Sequence, residues 1–168
     1  MKIALFGGAF DPPHIGHVQI VAHLLQKGFD QVWVIPCWRH PFGKKTASFW
    51  DRWRFCRAAF RPLGRRVKLK DVERRLRQDH SWTYLTVRYL KKKYPADDFT
   101  LAVGQDNYEQ RREWFEIEKL EKIVSFLSIP RGVGSFIADI SSSAVREKMK
   151  NGEDVTAFLP PAVCRLIG

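Results

Sequence analysis

The chain has 168 residues, of which 45% are hydrophobic and 28% charged, and this composition excludes a disordered chain and favours a folded globular domain. It has no apolar run long enough to span a bilayer and no signal-peptide cleavage pattern, so we expect a cytoplasmic protein. Lys and Arg number 29 against 18 Asp and Glu, and the net charge of +11 favours anionic partners such as nucleotides or nucleic acid.

Strand-like and helix-like segments alternate along the chain. The short apolar run Lys2–Phe6 predicts a strand that ends at a pair of glycines. Apolar side chains at helical spacing predict a helix over Ile15–Gln26, and Gln31–Ile35 is a second strand-like run. The remaining predicted elements are a helix, a strand, a helix, two strands and two helices. In that order they are Phe49–Phe60, Arg66–Leu69, Trp82–Tyr94, Phe99–Val103, Ile123–Ile129, Ser142–Lys150 and Pro160–Ile167.

This alternation predicts an α/β fold with a mostly parallel sheet flanked by helices. No repeat, low-complexity tract or linker divides the sequence, so we expect residues 1–168 to form a single domain. Ligands of such folds bind beyond the carboxyl ends of the strands. Segments of unusual composition follow these ends, and we expect the chemistry there. They are Gly7–His17, Pro36–Lys45, Gly104–Trp114 and Ile140–Arg146.

The segment between the first strand and the first helix has the features of a phosphate site. Gly7 and Gly8 let the backbone approach a phosphate closely, and a helix N-terminus presents N–H groups and a partial positive charge. His14 and His17 share one face of the first helical turn, so both imidazoles can address the same anion. Phosphoryl transfer needs such groups to hold and stabilise charged oxygens. Zinc is not expected, because no third ligand is close in sequence.

Two other segments carry groups suited to ATP phosphates. Ser141–Ser143 precede a helix and supply hydroxyls and an N-cap, and Arg146 lies one turn into that helix. Lys44 and Lys45 lie in a glycine-containing loop and can neutralise a triphosphate. Because adjacent side chains usually point in different directions, we expect at most one of these lysines to reach the site.

The glycine-histidine segment resembles a known family signature. The signature of bacterial nicotinate mononucleotide adenylyltransferases is similar to the run Gly7-Gly8-x-Phe10-Asp11-Pro12-x-His14-x-Gly16-His17. The His-x-Gly-His part also resembles class I aminoacyl-tRNA synthetases and the wider nucleotidyltransferase superfamily. Four more segments resemble motifs of the family or superfamily. They are Ser81-Trp82-Thr83, Gly104-Gln105-Asp106-Asn107 with Trp114, Ile140–Arg146, and Pro160-Pro161-Ala162-Val163.

The resemblance implies a Rossmann-like nucleotidyltransferase fold and the transfer of AMP from ATP to nicotinate mononucleotide, with release of pyrophosphate, in NAD biosynthesis. It also implies three groups of site residues. The catalytic residues are His14, His17 and Arg146. The ATP-binding residues are Gly7, Gly8, Phe10, Lys44, Gly104, Asp106, Ile140, Ser141, Ser142 and Ser143. The acceptor-binding residues are Asp11, Lys45, Thr83 and Trp114, of which Trp114 is expected to stack on the pyridine ring.

The sequence leaves other acceptors and partners open. Nicotinamide mononucleotide and phosphopantetheine are alternatives for the same chemistry. A basic nucleic-acid-binding module is a different class of function, suggested by aromatic residues interleaved with arginines in Trp50–Phe60. That segment has an amphipathic helix pattern instead of a nucleic-acid motif, so nucleic acid is not the expected partner. We expect Mg²⁺ held mainly by ATP phosphates, with no protein metal site. Whether the chain is a monomer or a homodimer stays open.

Overall fold

The computed structural model describes residues 1–40, 42–130 and 135–167. Its centre is a sheet of five parallel strands. The strands are β1 (Lys2–Gly8), β2 (Gln31–Pro36), β3 (Val67–Leu69), β4 (Asp98–Gly104) and β5 (Ser125–Ile129). The helices are α1 (Ile15–Gln26), α2 (Phe49–Phe60), α3 (Val72–Leu76), α4 (Thr83–Lys93), α5 (Gln105–Glu109), α6 (Ile117–Ile123), α7 (Ser142–Lys150) and α8 (Pro161–Ile167), with short 3₁₀ turns at Arg61–Leu63 and Arg111–Glu113. In the described ranges, no helix is long and apolar enough to cross a membrane.

The strand order β3-β2-β1-β4-β5 places the start of the chain at the centre of the sheet. The chain builds β2 and β3 on one side of β1, and then β4 and β5 on the other. The order reverses between β1 and β4, whose register pairs Leu5 with Leu101 and Phe6 with Ala102. Such a reversal opens a crevice beyond the carboxyl ends of the two strands. The segments that follow β1 and β4 therefore meet at one crevice.

Hydrophobic side chains cover both faces of the sheet. Alternate residues of β1 point to opposite faces, so Ala4 and Phe6 join one buried cluster while Ile3 and Leu5 join another. The first cluster includes residues of α1, α2, α7 and α8. The second includes residues of α4 and α6, among them the fully buried Leu120. Each fully buried side chain of this size contributes roughly 2 kcal/mol, so the two clusters fix the helices against the sheet.

The predicted α/β fold with a parallel sheet is confirmed, and α1, α2 and α7 have the predicted bounds. Ser48 caps α2 as expected, because its hydroxyl accepts from the Asp51 amide at 3.2 Å. Helices α3, α5 and α6 were not predicted, since they have only five to seven residues and a helical period needs a longer window to be recognised. The predicted strand Ile123–Ile129 is wrong at its start: Ile123 ends α6, and β5 begins at Ser125.

Candidate active site

A cavity of about 360 Å³ lies at the crevice beyond the ends of β1 and β4. The structure brings most of the predicted site residues to its wall. Those from the β1–α1 segment and α7 are Gly7, Gly8, Phe10, His14, His17, Ser141, Ser142, Ser143 and Arg146. Those from other segments are Lys44, Thr83, Gly104 and Trp114. Five stretches distant in sequence thus contribute to a single cavity.

The two histidines of the predicted phosphate site form one unit at the start of α1. His14 is buried and is the N-cap residue, and its backbone N–H donates to His17 Nδ1 at 3.1 Å. The two rings stack with centroids 3.7 Å apart and planes at 27°. Because Nδ1 of His17 accepts a hydrogen bond, a neutral His17 carries its proton on Nε2. This tautomer makes Nε2 of His17 a hydrogen-bond donor, as binding an anion requires.

The predicted use of backbone N–H groups at the start of α1 is only partly found. The Ile15 amide donates to Phe158 O at 2.9 Å, and the His14 amide donates to His17, so protein atoms already satisfy both. The helix end still carries its partial positive charge. Gly16 is required for a packing reason, since a Cβ there would lie 3.1 Å from His14 Nδ1. A side chain at this position would press on the His14 ring and on Ala138 O, which is also 3.1 Å away.

Phe10 supports the histidines from the side. Its ring is buried and meets His17 edge-on, with centroids 5.0 Å apart and planes at 68°. The Phe10 backbone has a φ of 50°, in the left-handed region, which turns the chain after β1. A Cβ on Gly8 would lie 3.1 Å from the Phe10 ring, so glycine at this position allows the ring to pack beneath the strand end.

The first turn of α7 is docked on the β1–α1 segment. Ser141 caps α7, because its hydroxyl accepts from a backbone amide in the first turn of that helix at 3.1 Å. Ser142 Oγ donates to Pro12 O at 2.9 Å, and Arg146 Nη1 donates to Asp11 O at 2.5 Å. These bonds join positions 130 and 135 residues apart. They fix Arg146 at the cavity wall beside the histidines.

Two cations converge on the hydroxyl of Ser143. Lys44 Nζ donates to Ser143 Oγ at 2.7 Å, and Arg146 Nη2 donates to the same atom at 3.3 Å. Arg146 also lies 3.6 Å from the carboxylate of Asp11. The Ser143 hydroxyl is neutral and the Asp11 carboxylate faces Arg146 but not Lys44, so positive charge remains around Ser143 and attracts anions. Lys44 belongs to the β2–α2 loop (residues 37–40 and 42–48), which therefore reaches across to α7.

Another part of the cavity wall is aromatic. Trp82 and Phe115 both line the cavity and stack with ring centroids 5.1 Å apart and planes at 28°. Trp114 is half-buried and also packs on Phe126 of β5, at 6.2 Å between centroids. Thr83 is the first residue of α4. The sequence prediction included Thr83 and Trp114 and missed their neighbours Trp82 and Phe115, although adjacency to two predicted site residues was a usable signal.

Four predicted site residues do not line the cavity. Asp11 is buried within the β1–α1 segment, where its carboxylate accepts from the Ala47 amide at 3.1 Å, and its contact with the acceptor stays a prediction. Asp106 is exposed on α5. Ile140 packs against the hydrophobic core, as an apolar side chain is expected to do. Lys45 is exposed, and Lys44 is the lysine of the pair that reaches the wall.

Three titratable side chains of the wall, Cys37, Glu73 and His40, have shifted pKa values that bear on whether they can act as nucleophiles. Burial raises the pKa of Cys37 to about 11, so it remains a neutral thiol near pH 7. Burial also raises the pKa of Glu73 to about 6, against the effect of a hydrogen bond with Ser81. The pKa of His40 is lowered by burial and by the charge of Lys44, so its ring is neutral near pH 7. None of the three is a pre-activated nucleophile.

This geometry defines a class of protein. Cations and imidazoles lie together near helix N-termini, in a crevice where the strand order reverses. Such groups stabilise phosphoryl groups during transfer between bound substrates. The aromatic wall beside them suits a flat heterocycle. The protein is accordingly a nucleotidyltransferase.

Comparison with known proteins identifies the family. A family model described as cytidylyltransferase-like matches residues 5–148. A protein from Anaeromyxobacter dehalogenans strain 2CP-C, named a probable nicotinate-nucleotide adenylyltransferase, is 34% identical over 99% of this chain and 93% of its own length. A relative of the same name from Shouchella clausii strain KSM-K16 is 35% identical with the same coverage. The chain belongs to the cytidylyltransferase-like family and, within it, to the nicotinate-nucleotide adenylyltransferases.

Solved structures share the fold. A nicotinic acid mononucleotide adenylyltransferase from Plasmodium falciparum, complexed with NaAD, matches with a TM-score of 0.78 over 99% of this chain and 94% of that chain. The sequence identity is 21%, so this likeness concerns the fold alone. The family resemblance inferred from the motifs and the predicted nucleotidyltransferase fold are both confirmed.

Proposed function

We propose that this protein joins AMP from ATP to nicotinate mononucleotide and releases pyrophosphate, within a single domain formed by residues 1–168. An oxygen of the acceptor phosphate forms a bond to the α-phosphorus of ATP. The bond from that phosphorus to the bridging β-oxygen breaks, and its electron pair leaves with pyrophosphate. The names of the relatives support this acceptor, and the charges of the cavity support this chemistry.

The convergence of Lys44 and Arg146 on Ser143 carries the proposal. Two cations within hydrogen-bond reach of one hydroxyl, beside the stacked histidines, form a site for several negative charges. A triphosphate that enters replaces the hydroxyl as the partner of Lys44 and adds a partner to Arg146, which keeps its contacts with Asp11. His17 Nε2 and Arg146 then stabilise the charge on the transferred phosphoryl group, whereas Lys44 neutralises the leaving pyrophosphate.

Magnesium is proposed to enter with ATP. The described residues contain no group of three or more His, Cys, Asp or Glu side chains that could hold a metal ion. The Asp11 carboxylate is engaged by Ala47 and faces Arg146. Mg²⁺ prefers phosphate oxygens and water when few carboxylates are offered, so this donor set fits a metal held through the substrate. Bound in that way, Mg²⁺ supplies positive charge to the phosphates.

The aromatic wall is proposed to receive the pyridine ring of the acceptor. Trp82, Trp114 and Phe115 present flat apolar surfaces, and Thr83 adds a hydroxyl at the start of α4. Stacking on such surfaces stabilises a planar ring. A phosphopantetheine chain is flexible and has no flat ring at its reacting end, so it would leave these side chains without a partner. The two pyridine mononucleotides share the ring and differ at one substituent.

The experiment that tests this proposal is a product analysis. The protein is incubated with ATP and Mg²⁺ together with nicotinate mononucleotide, nicotinamide mononucleotide or phosphopantetheine, and the products are identified by mass. We expect the nicotinate dinucleotide and one equivalent of pyrophosphate. If an adenylylated product forms faster from either of the other acceptors, the assigned acceptor is wrong and the adenylyl-transfer chemistry stands. The absence of any adenylylated product with all three would overturn the adenylyl-transfer assignment.

A further inference from the structure

The β2–α2 loop starts from a peptide group that two charged side chains, the buried Arg52 and the half-buried Glu73, hold from opposite sides. Arg52 Nη2 donates to Cys37 O at 2.7 Å. The Trp38 amide donates to Glu73 Oε2 at 3.2 Å and to Ser81 Oγ at 2.9 Å. Cys37 O and the Trp38 N–H belong to the same peptide bond and point in opposite directions. A cation thus lies at the negative end of this peptide dipole and an anion at its positive end.

Arg52 also holds the far end of the same loop. It is 1% exposed, and its donors are satisfied by backbone carbonyls: Nε reaches Ala47 O at 3.0 Å and Nη1 reaches Ala9 O at 2.8 Å. Burying a guanidinium costs free energy unless its donors are paired, so the burial of Arg52 requires these carbonyls to keep their positions. One side chain therefore ties both ends of the β2–α2 loop to the segment that follows β1.

Glu73 connects the start of the loop to the aromatic wall. Its side chain is half-buried and lines the cavity, and Thr86 of α4 donates to its second oxygen at 3.4 Å. Ser81 Oγ accepts from the Trp38 and Arg39 amides, the latter at 3.1 Å, and Ser81 immediately precedes Trp82 and Thr83. The carboxylate, the Ser81 hydroxyl and the Trp38 amide therefore form one cluster at the cavity wall.

We propose that Arg52 and Glu73 are positioning residues, which through the Cys37–Trp38 peptide set the β2–α2 loop so that Lys44 reaches the phosphate site and Trp82 and Thr83 face the acceptor. Both residues act through others, because neither belongs to the groups that we assign to the substrates. The kinetic part of this inference rests on the proposed function. The anchoring of the loop is independent of it and has its own readout.

Limited proteolysis with trypsin measures the anchoring without any substrate. Lys44 and Lys45 are exposed tryptic sites in the loop, and Lys27 at the end of α1 is an exposed reference site. Glu73→Ala should increase cleavage after Lys44 and Lys45 by about fivefold and leave cleavage after Lys27 unchanged, because only local opening becomes easier. The matched control is Glu118→Ala, at an exposed position in the first turn of α6. Equal acceleration at all sites would show general destabilisation and overturn the positioning role.

Kinetics supply the second readout. In Glu73→Ala, the KM for the acceptor should rise about tenfold while kcat changes by less than about threefold. Glu73→Gln should lie nearer the wild type, since its amide oxygen can still accept from Trp38. Wild-type cleavage and unchanged KM values in Glu73→Ala would overturn the proposal. If that variant does not fold, Ser81→Ala removes the connecting hydroxyl and must show the same loop-specific cleavage. Altered cleavage in a protein that adenylylates none of the acceptors would leave the anchoring intact and refute only the proposed function.

Discussion

Lys44 and Ser143 are 99 positions apart in the chain, yet Lys44 Nζ donates to Ser143 Oγ at 2.7 Å. This bond joins the β2–α2 loop to the N-terminus of α7, the two segments that we assign to the triphosphate. The contact brings the ammonium group into the cavity although Lys44 as a whole is exposed. The same residue can therefore respond to ATP by exchanging a hydroxyl partner for a phosphate oxygen.

Replacement of Lys44 should raise the KM for ATP more than the KM for the acceptor. In Lys44→Ala the KM for ATP should rise about tenfold, which corresponds to the loss of one partly exposed charge-assisted hydrogen bond. Initial rates at varied ATP and saturating acceptor measure this. Lys45→Ala should have the smaller effect, because Lys45 does not line the cavity. The reverse order of the two variants would contradict the assignment of Lys44.

His17→Ala should keep the fold and lose most of the turnover. The imidazole donates from Nε2 to charge that develops on the transferred phosphoryl group, and removing such a donor typically lowers kcat by about 10²–10³. Far-ultraviolet circular dichroism and urea unfolding establish that the variant is folded. His23→Ala, which changes a histidine of α1 that does not line the cavity, provides the matched control. A folded His17→Ala protein with near wild-type kcat would show that His17 does not act on the phosphates.

Arg146 should be more important for turnover than for stability. Its guanidinium contacts Asp11 O, the Asp11 carboxylate and Ser143 at the same time, a geometry that a lysine cannot reproduce. Arg146→Ala should lower kcat/KM for ATP by about 10²-fold, and Arg146→Lys should recover only part of it. Steady-state kinetics and thermal unfolding decide the point. Equal activity in the Ala, Lys and wild-type proteins would remove Arg146 from the catalytic group.

The sequence predicted those parts of the site that are local in the chain. The stacked pair His14 and His17 lies within one helical turn, so motif and geometry coincide. Arg52 was not predicted, because along α2 it looks like any charge on an amphipathic helix. Its burial depends on carbonyls of Ala9 and Cys37, which only the fold brings to it. Asp11 was assigned to the acceptor from its local motif, and the structure adds contacts with Ala47 and Arg146, which the motif could not show because they come from other segments.

The titration of Glu73 predicts a pH dependence of stability. Its folded pKa is about 6 against an ordinary value of 4.5, so the folded state keeps this proton to higher pH than the unfolded chain does. The resulting stabilisation is largest below pH 4.5 and is lost as the pH rises through 6. The charged or titratable groups around it are Arg52 from α2 and Cys37 after β2, and the Ser81 and Thr86 hydroxyls face it from the start of α4.

Glu73→Gln removes this titration and serves as the probe. The difference of about 1.5 pKa units corresponds to roughly 2 kcal/mol. Relative to the wild type, the free energy of unfolding of the variant should therefore increase by roughly 2 kcal/mol between about pH 4 and about pH 8. Urea unfolding of both proteins at the two pH values measures it. Parallel pH profiles of the two proteins would show that Glu73 titrates normally.

Trp114 can contribute to substrate binding or to packing of the core, and its replacement distinguishes the two. The side chain lines the cavity and also packs on Phe126, so the structure allows both contributions. If its ring stacks on the pyridine, Trp114→Ala should raise the KM for nicotinate mononucleotide about tenfold, since roughly 1–1.5 kcal/mol of stacking is lost. The KM for ATP should change little, because the residues that we assign to the ATP phosphates belong to other segments. They are Lys44, Ser143 and Arg146.

Trp50→Ala is the matched control for this experiment, because Trp50 is 56% exposed on α2 and does not line the cavity. It should leave both KM values within about twofold of the wild type. Trp82→Ala should act in the same direction as Trp114→Ala, since the Trp82 ring, stacked on Phe115, belongs to the same aromatic wall. If Trp114→Ala instead lowers the unfolding midpoint and raises both KM values equally, its main contribution is packing against β5. The pyridine ring would then have to be bound by Trp82 and Phe115, and Trp82→Ala alone would carry the selective loss of acceptor binding.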